Sequence, residues 1–170
     1  DCNDDLAGDY GPGCNDFIGL ATGATHSAVL RAWGGVECFG NCDPNVPDAL
    51  FDQLISTSNA LCGITREGTV ECWQNIPVAP PDGTFKHLAG GEYHVCGITD
   101  DDTVTCWGPE DPDQPAVPPG GTFKQLTAGQ QHTCGIHLDD TAECWGGGDW
   151  GQSVAIAGTF KQLAAGGQQA

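Results

Sequence analysis

The chain has 170 residues, among them 26 glycines, 11 prolines and 10 cysteines. Twenty-three acidic residues stand against five Lys and Arg, a formal net charge of −18, which repels nucleic acid and anionic membrane alike. No apolar stretch is long enough for an ordinary α-helix or a membrane span, so short strands separated by turns are the expected elements.

Residues 1–16 differ in kind from the rest of the chain and read as an acidic, disulfide-containing N-terminal segment. Asp1, Asn3, Asp5 and Asp9 set oxygen ligands at alternating positions, as calcium loops do, but the glycine at the sixth position and the closing bidentate glutamate are missing. A disulfide-closed acidic linker is the plainer account, and Ca2+ is the one cofactor the sequence brings into question. The chain opens at Asp1 without methionine and shows no signal peptide, as a processed secreted product would.

From residue 17 to 170 the chain is a repeat. Units start at Phe17, Phe51, Phe85 and Phe123, with a partial unit at Phe160, at intervals of 34, 34, 38 and 37 residues. Each opens on a phrase such as Phe85-Lys-His-Leu, continues through Cys-Gly-Ile and ends on Cys-Trp. The first unit is degenerate, with Ala28 in place of the first cysteine and Phe39 in place of tryptophan; the fifth stops after Phe160-Lys-Gln-Leu and seven more residues. Periods of this length signal one supersecondary element copied and stacked.

Within a unit, Cys96-Gly-Ile98 and Val104-Thr-Cys106 alternate as half-buried strands do. Setting Cys96 opposite Cys106 places Thr99 opposite Thr103 and leaves Asp100–Asp102 as a three-residue hairpin loop. Its third residue calls for positive φ, which Gly34 and Gly68 supply freely and Asp102 and Asp140 tolerate. Directly opposed residues of an antiparallel pair approach closely enough for a disulfide, which predicts Cys62–Cys72, Cys96–Cys106 and Cys134–Cys144. Cys2, Cys14, Cys38 and Cys42 allow three pairings, of which Cys2–Cys14 with Cys38–Cys42 is the first choice. An even set of cysteines at such regular spacing implies an oxidising, extracellular compartment.

Metal binding and catalysis find little support. His94-x-Cys96 with Cys106, and the same set in the next unit, differ from the paired knuckles of zinc sites; His26, His94 and His132 share one repeat position and suit a hydrogen bond to backbone better than catalysis. His87 and His137 are isolated. No Gly-x-Ser-x-Gly elbow, His-Glu-x-x-His or phosphate-cradling loop occurs. Carboxylate pairs such as Asp52 and Glu71 are expected by chance in so acidic a chain, so the sequence reads as non-enzymatic.

The run Phe123-Lys-Gln-Leu-Thr-Ala-Gly-Gln-Gln-His-Thr-Cys-Gly-Ile, with Ala142-Glu-Cys-Trp-Gly and Trp150-Gly-Gln behind it, resembles the repeat of the regulator of chromosome condensation family of β-propellers. The likeness covers residues 17–170 and is strongest from 85 to 166; the short units are closest to secreted bacterial members with three-stranded blades. The resemblance implies an all-β fold of tandem antiparallel blades, with Phe-x-x-Leu, His-x-Cys-x-Ile and Val-x-Cys-Trp as the strands. A lone three-stranded sheet cannot bury both faces, whereas stacked neighbours can, so Phe51, Leu54, Ile64, Val70, Trp73 and their counterparts are expected in the core.

Five Phe-type strands against four of each other type leave one over. Family rings are usually seven-bladed, and an open arc exposes faces and edges that recruit partners. The arc is completed by further chain, by several copies in a ring, or by each chain donating its spare strand to the next in a filament, a head-to-tail contact that propagates unless its rotation closes. The first reading is therefore an extracellular self-assembling protein with Phe17, Leu20, Phe160 and Leu163 as subunit contacts. The alternative is a protein-binding propeller module, inhibitor or adhesin, whose partner sits on the loop face. The family's chromatin and guanine-nucleotide-exchange roles conflict with the charge.

Overall fold

A computed structural model of the chain describes residues 16–43, 45–74, 78–109, 118–147 and 157–166. Cys2, Cys14 and the Asp1, Asn3, Asp5 and Asp9 set lie outside them, as does Trp150. Every regular element among the described residues is a strand. The first unit contains β1 (Phe17–Thr22), β2 (His26–Arg31) and β3 (Val36–Gly40). The second contains β4 (Phe51–Ser56), β5 (Leu61–Thr65) and β6 (Val70–Trp73); the third β7 (Phe85–Gly90), β8 (Val95–Thr99) and β9 (Val104–Trp107). The fourth contains β10 (Phe123–Ala128), β11 (His132–His137) and β12 (Ala142–Gly146). Each unit is one antiparallel sheet in chain order, the blade the repeat implies.

The register repeats from unit to unit. Cys62 faces Cys72, Cys96 faces Cys106 and Cys134 faces Cys144, and all three pairs are disulfide-bonded across Cα separations of 4.0 Å. In the first unit Ala28 faces Cys38, and Cys38 bonds to Cys42 instead. The loop residues Gly34, Gly68, Asp102 and Asp140 all have positive φ, between 67° and 97°.

One device repeats in every unit without a sequence signal. The first strand carries a bulge just after its phenylalanine: Phe51 pairs with Thr65 but Gln53 pairs with Ile64, and the other three units do the same. Residues three apart on a regular strand face opposite ways; the extra residue restores Phe51 and Leu54 to one side. Both then fold over the glycine of Cys-Gly-Ile. A Cβ on Gly63, Gly97 or Gly135 would lie 2.5 Å from Cδ1 of that unit's phenylalanine.

The hydrophobic core lies between sheets. Ala21, Ala28 and Leu30 of the first unit pack with Phe51, Leu54, Leu61 and Trp73 of the second. Ile55, Cys62 and Ile64 meet Phe85, Leu88 and Val95, and Ala89, Cys96 and Ile98 meet Phe123, Leu126 and Trp145. Each unit therefore has two faces: the Phe, Leu and Trp side turns to the preceding unit, the disulfide and Ile side to the following one. The expected core is corrected at two kinds of position. Val70 and Trp107 are only half-buried, and Phe17 and Leu20 are exposed because no described unit precedes theirs.

Candidate protein-binding surfaces

The joint between units is the same at each step. The carbonyl of the positive-φ loop residue accepts from the N–H of the next unit's phenylalanine: Gly34 from Phe51, Gly68 from Phe85, Asp102 from Phe123 and Asp140 from Phe160, each at 2.8 Å. The N–H of the same residue closes its own hairpin turn, as Gly68 N–H does on the Thr65 carbonyl at 2.9 Å. Lys86 pairs with Asp102 at 2.8 Å, and Asp140 holds both Lys124 and Lys161. Those two ammonium groups hold the Asp140 carboxyl down to about 2.

A second set of ties joins the first strands. The Gln53 amide donates to the Leu88 carbonyl and accepts from the Leu88 N–H, both at 2.9 Å, and His87 Nε2 donates to the Leu126 carbonyl at 3.0 Å. His87 is thus a bridge between units three and four. Two of the repeat histidines, His26 and His94, reach side-chain hydroxyls of the following unit, and His26 also has the backbone partner expected from sequence, the Ala60 carbonyl. His26 Nε2 lies 2.8 Å from Ser56 Oγ, and His94 Nε2 lies 2.9 Å from Thr133 Oγ1. Burial lowers the pKa of all three repeat imidazoles, pushing that of His94 down to about 4 with help from His132. His26 and His94 thus tie each sheet to the next.

Two features gather where first strands turn into second strands. Residues 22–24, 56–58, 90–92 and 128–130, with Ala165 and Gly166, border one open depression of about 350 Å³, so the first strands converge around a common axis. Beside it, a narrower groove of about 150 Å³ separates units two and three, lined by Ala60, the Cys62–Cys72 bridge, Val78, Tyr93, Val95, Trp107 and Pro109. Glu92 lies on its rim and raises the Tyr93 phenol by accepting its hydrogen bond. Among the described residues no group of three or more His, Cys, Asp or Glu side chains could hold a metal.

The third surface is the face of unit one that turns away from unit two. Phe17 is 58% exposed and Leu20 68%, whereas the equivalent Phe51, Phe85 and Phe123 are at most 4% exposed. Phe39, standing for the buried Trp73 and Trp145, is exposed on the same side. Val29 fills the place of the Cys-Gly-Ile glycine, and the Phe17 ring lies instead under Arg31, 4.2 Å from its guanidinium carbon.

Residues 85–108, from the start of β7 to just past β9, match the family model of the regulator of chromosome condensation (RCC1) repeat. The third unit is thus similar in sequence to an RCC1 repeat, and the other three units form the same three-stranded sheet. The CRINKLY WD40 ectodomain of the Arabidopsis thaliana receptor kinase ACR4 is 29% identical, with a TM-score of 0.74 over 89% of this chain and 57% of that one. The ectodomain of the Physcomitrella patens receptor kinase CR4 is also 29% identical, at a TM-score of 0.73 over 96% and 49%. Prp20p of Saccharomyces cerevisiae, studied for its binding to Gsp1p and histones, shares the fold at 16% identity and a TM-score of 0.63, over 84% and 47%. The chain thus spans about half the length of these solved structures. No curated protein matches it.

Proposed function

We propose that the chain is a non-catalytic, extracellular protein-binding module that works through the open face of unit one. One observation carries this reading: Phe17, Leu20 and Phe39 stand exposed together at positions that every later unit buries, wholly or in large part, against its neighbour. An apolar patch of that kind marks a protein interaction surface. The four disulfides among the described residues support an oxidising location, and the ectodomain likeness agrees with it. The preferred form of binding is self-assembly into a ring or filament, with Phe17 and Leu20 at one end of the arc and Phe160 and Leu163 at the other. In this reading residues 17–170 act as the repeat domain and 1–16 as an acidic, disulfide-containing N-terminal segment. Electron microscopy of the purified chain at raised salt tests this form. Regular assemblies that vanish in Leu20→Asp are expected; strictly monomeric particles at all concentrations would contradict it.

A second reading rests on the groove between units two and three, where Tyr93 and Val78 are exposed beside a half-buried Trp107. Aromatic rings in a cleft suit an inserted side chain of a partner protein. Tyr93→Ala would then weaken partner binding without altering self-association.

A further inference from the structure

The open face of unit one has a counterpart at the other end of the stack. Residues 157–166 take the place of a next unit's first strand on unit four. Phe160 N–H donates to the Asp140 carbonyl at 2.8 Å, Lys161 reaches Asp140 Oδ2 at 2.8 Å, and Ala165 N–H donates to Thr127 Oγ1 at 3.1 Å. Among the described residues a single segment stands here, where each internal joint supplies a whole sheet.

His132, on unit four, is 1% exposed, and among the described residues its Nε2 has no hydrogen-bond partner. The ring sits against its loop as that of His94 does: a Cβ on Gly129 would lie 2.3 Å from His132 Cε1, and one on Gly91 2.2 Å from His94 Cε1. His94 Nε2 meets Thr133 in the next unit's second strand, and His26 meets Ser56 at the end of the next unit's first strand. In the fifth copy these two repeat positions are Ala170 and Ala165, and neither has a hydroxyl. In unit one they are Ser27 and Thr22, half-exposed and exposed on the open face.

We propose that unit one of a second copy docks on unit four in place of residues 157–166, setting its Ser27 hydroxyl at His132 Nε2 and burying its Leu20 and Phe39 against the Cys134–Cys144 face. This rests on the open face being a binding surface; it adds the occupant, and gives residues 157–166 the role of an internal cap. A full sheet removes more apolar surface from water than a single strand, and it supplies the hydroxyl that a buried imidazole nitrogen otherwise lacks. Each copy carries −18, so the exchange is favoured by salt. The contact joins unlike surfaces, closing into a ring or propagating according to its rotation.

Sedimentation velocity on the full chain, with variants, tests the exchange. Removal of residues 157–170 is expected to strengthen self-association at least tenfold, and Phe160→Ala, which loosens the cap in the intact chain, to shift it the same way. Leu20→Asp should abolish association in either background, and Ser27→Ala should weaken it by about fivefold, the worth of one hydrogen bond, at unchanged monomer Tm. Should the deletion unfold the chain, Phe160→Ala decides. Association that is weakened or unmoved by loosening the cap, or that survives Leu20→Asp, overturns the proposal. A chain that binds a foreign protein through Leu20 but never itself overturns this inference alone and leaves the open face as a binding surface standing.

Discussion

The repeat histidines show how a residue acquires its role from its place in a stack. His94 is buried and neutral with its pKa held near 4, below the 6.5 of an exposed imidazole. The unfolded chain therefore binds more protons between those values, so the contribution is fully present above pH 6.5 and is lost as pH falls toward 4. Lower still, Asp101, Asp139 and Asp140, whose carboxyls are depressed mainly by threonine hydroxyls and lysines, begin to lose theirs. Urea midpoints measured from pH 7 to 4 should fall in the native chain, and the fall should be shallower in His94→Gln, which keeps a donor for Thr133 but cannot titrate there. The sequence reveals that these histidines occupy one repeat position. It hides their partners, because Ser56 and Thr133 sit at different places in the unit and only stacking brings either within reach.

The strand glycines owe their role to the stack of side chains above them in the same way. Gly97 looks interchangeable with any small strand residue, yet its Cβ would sit 2.5 Å from the Phe85 ring and 2.9 Å from Leu88. Gly97→Ala is expected to cost about 1–3 kcal/mol, as overpacked cores do. Gly120→Ala, in open space, should stay within about 0.5 kcal/mol. Thermal unfolding of both variants checks the contrast.

At the scale of the element, each blade is a hairpin pinned by a bridge between opposed residues. Replacing Cys96 and Cys106 by alanine should destabilise the chain by about 2–3 kcal/mol, an upper figure because a preformed hairpin has less entropy to lose; denaturant melts of the pair variant read it. Cys96 and Cys106 also pack in the core with Phe123 and Leu126, so part of the loss is contact. Cysteine spacing, turn length and the positive-φ residue were all legible, since each is set by residues ten or fewer positions apart. The bulge after Phe17, Phe51, Phe85 and Phe123 was not, because the extra residue is Ile, Asp or Lys and carries no turn chemistry. Its trace is parity: a Phe-x-x-Leu pair that shares one face of a strand requires one unpaired residue between.

On the scale of the molecule, a stack of like units has identical internal joints and two ends that differ from them. The repeat count already implied a spare strand. It could not tell which end is bare, because that depends on where residues 157–166 lie and on no described residue covering Phe17 and Leu20. The net charge sets the conditions for any joining of copies. Light scattering should rise with salt from 0.05 to about 0.5 M as repulsion is screened; association that falls with salt would mean that charge pairs, not apolar faces, make the contact.

Binding by this protein depends above all on the open face of unit one being a surface that another protein covers. A photoreactive benzophenone side chain at position 20 of the 170-residue chain, irradiated at raised salt and mapped by mass spectrometry, reads that directly. Adducts to a defined protein segment are predicted, with residues 132–144 of a second copy as the expected site. Labelling by solvent alone, at every concentration and salt tested, would contradict the claim.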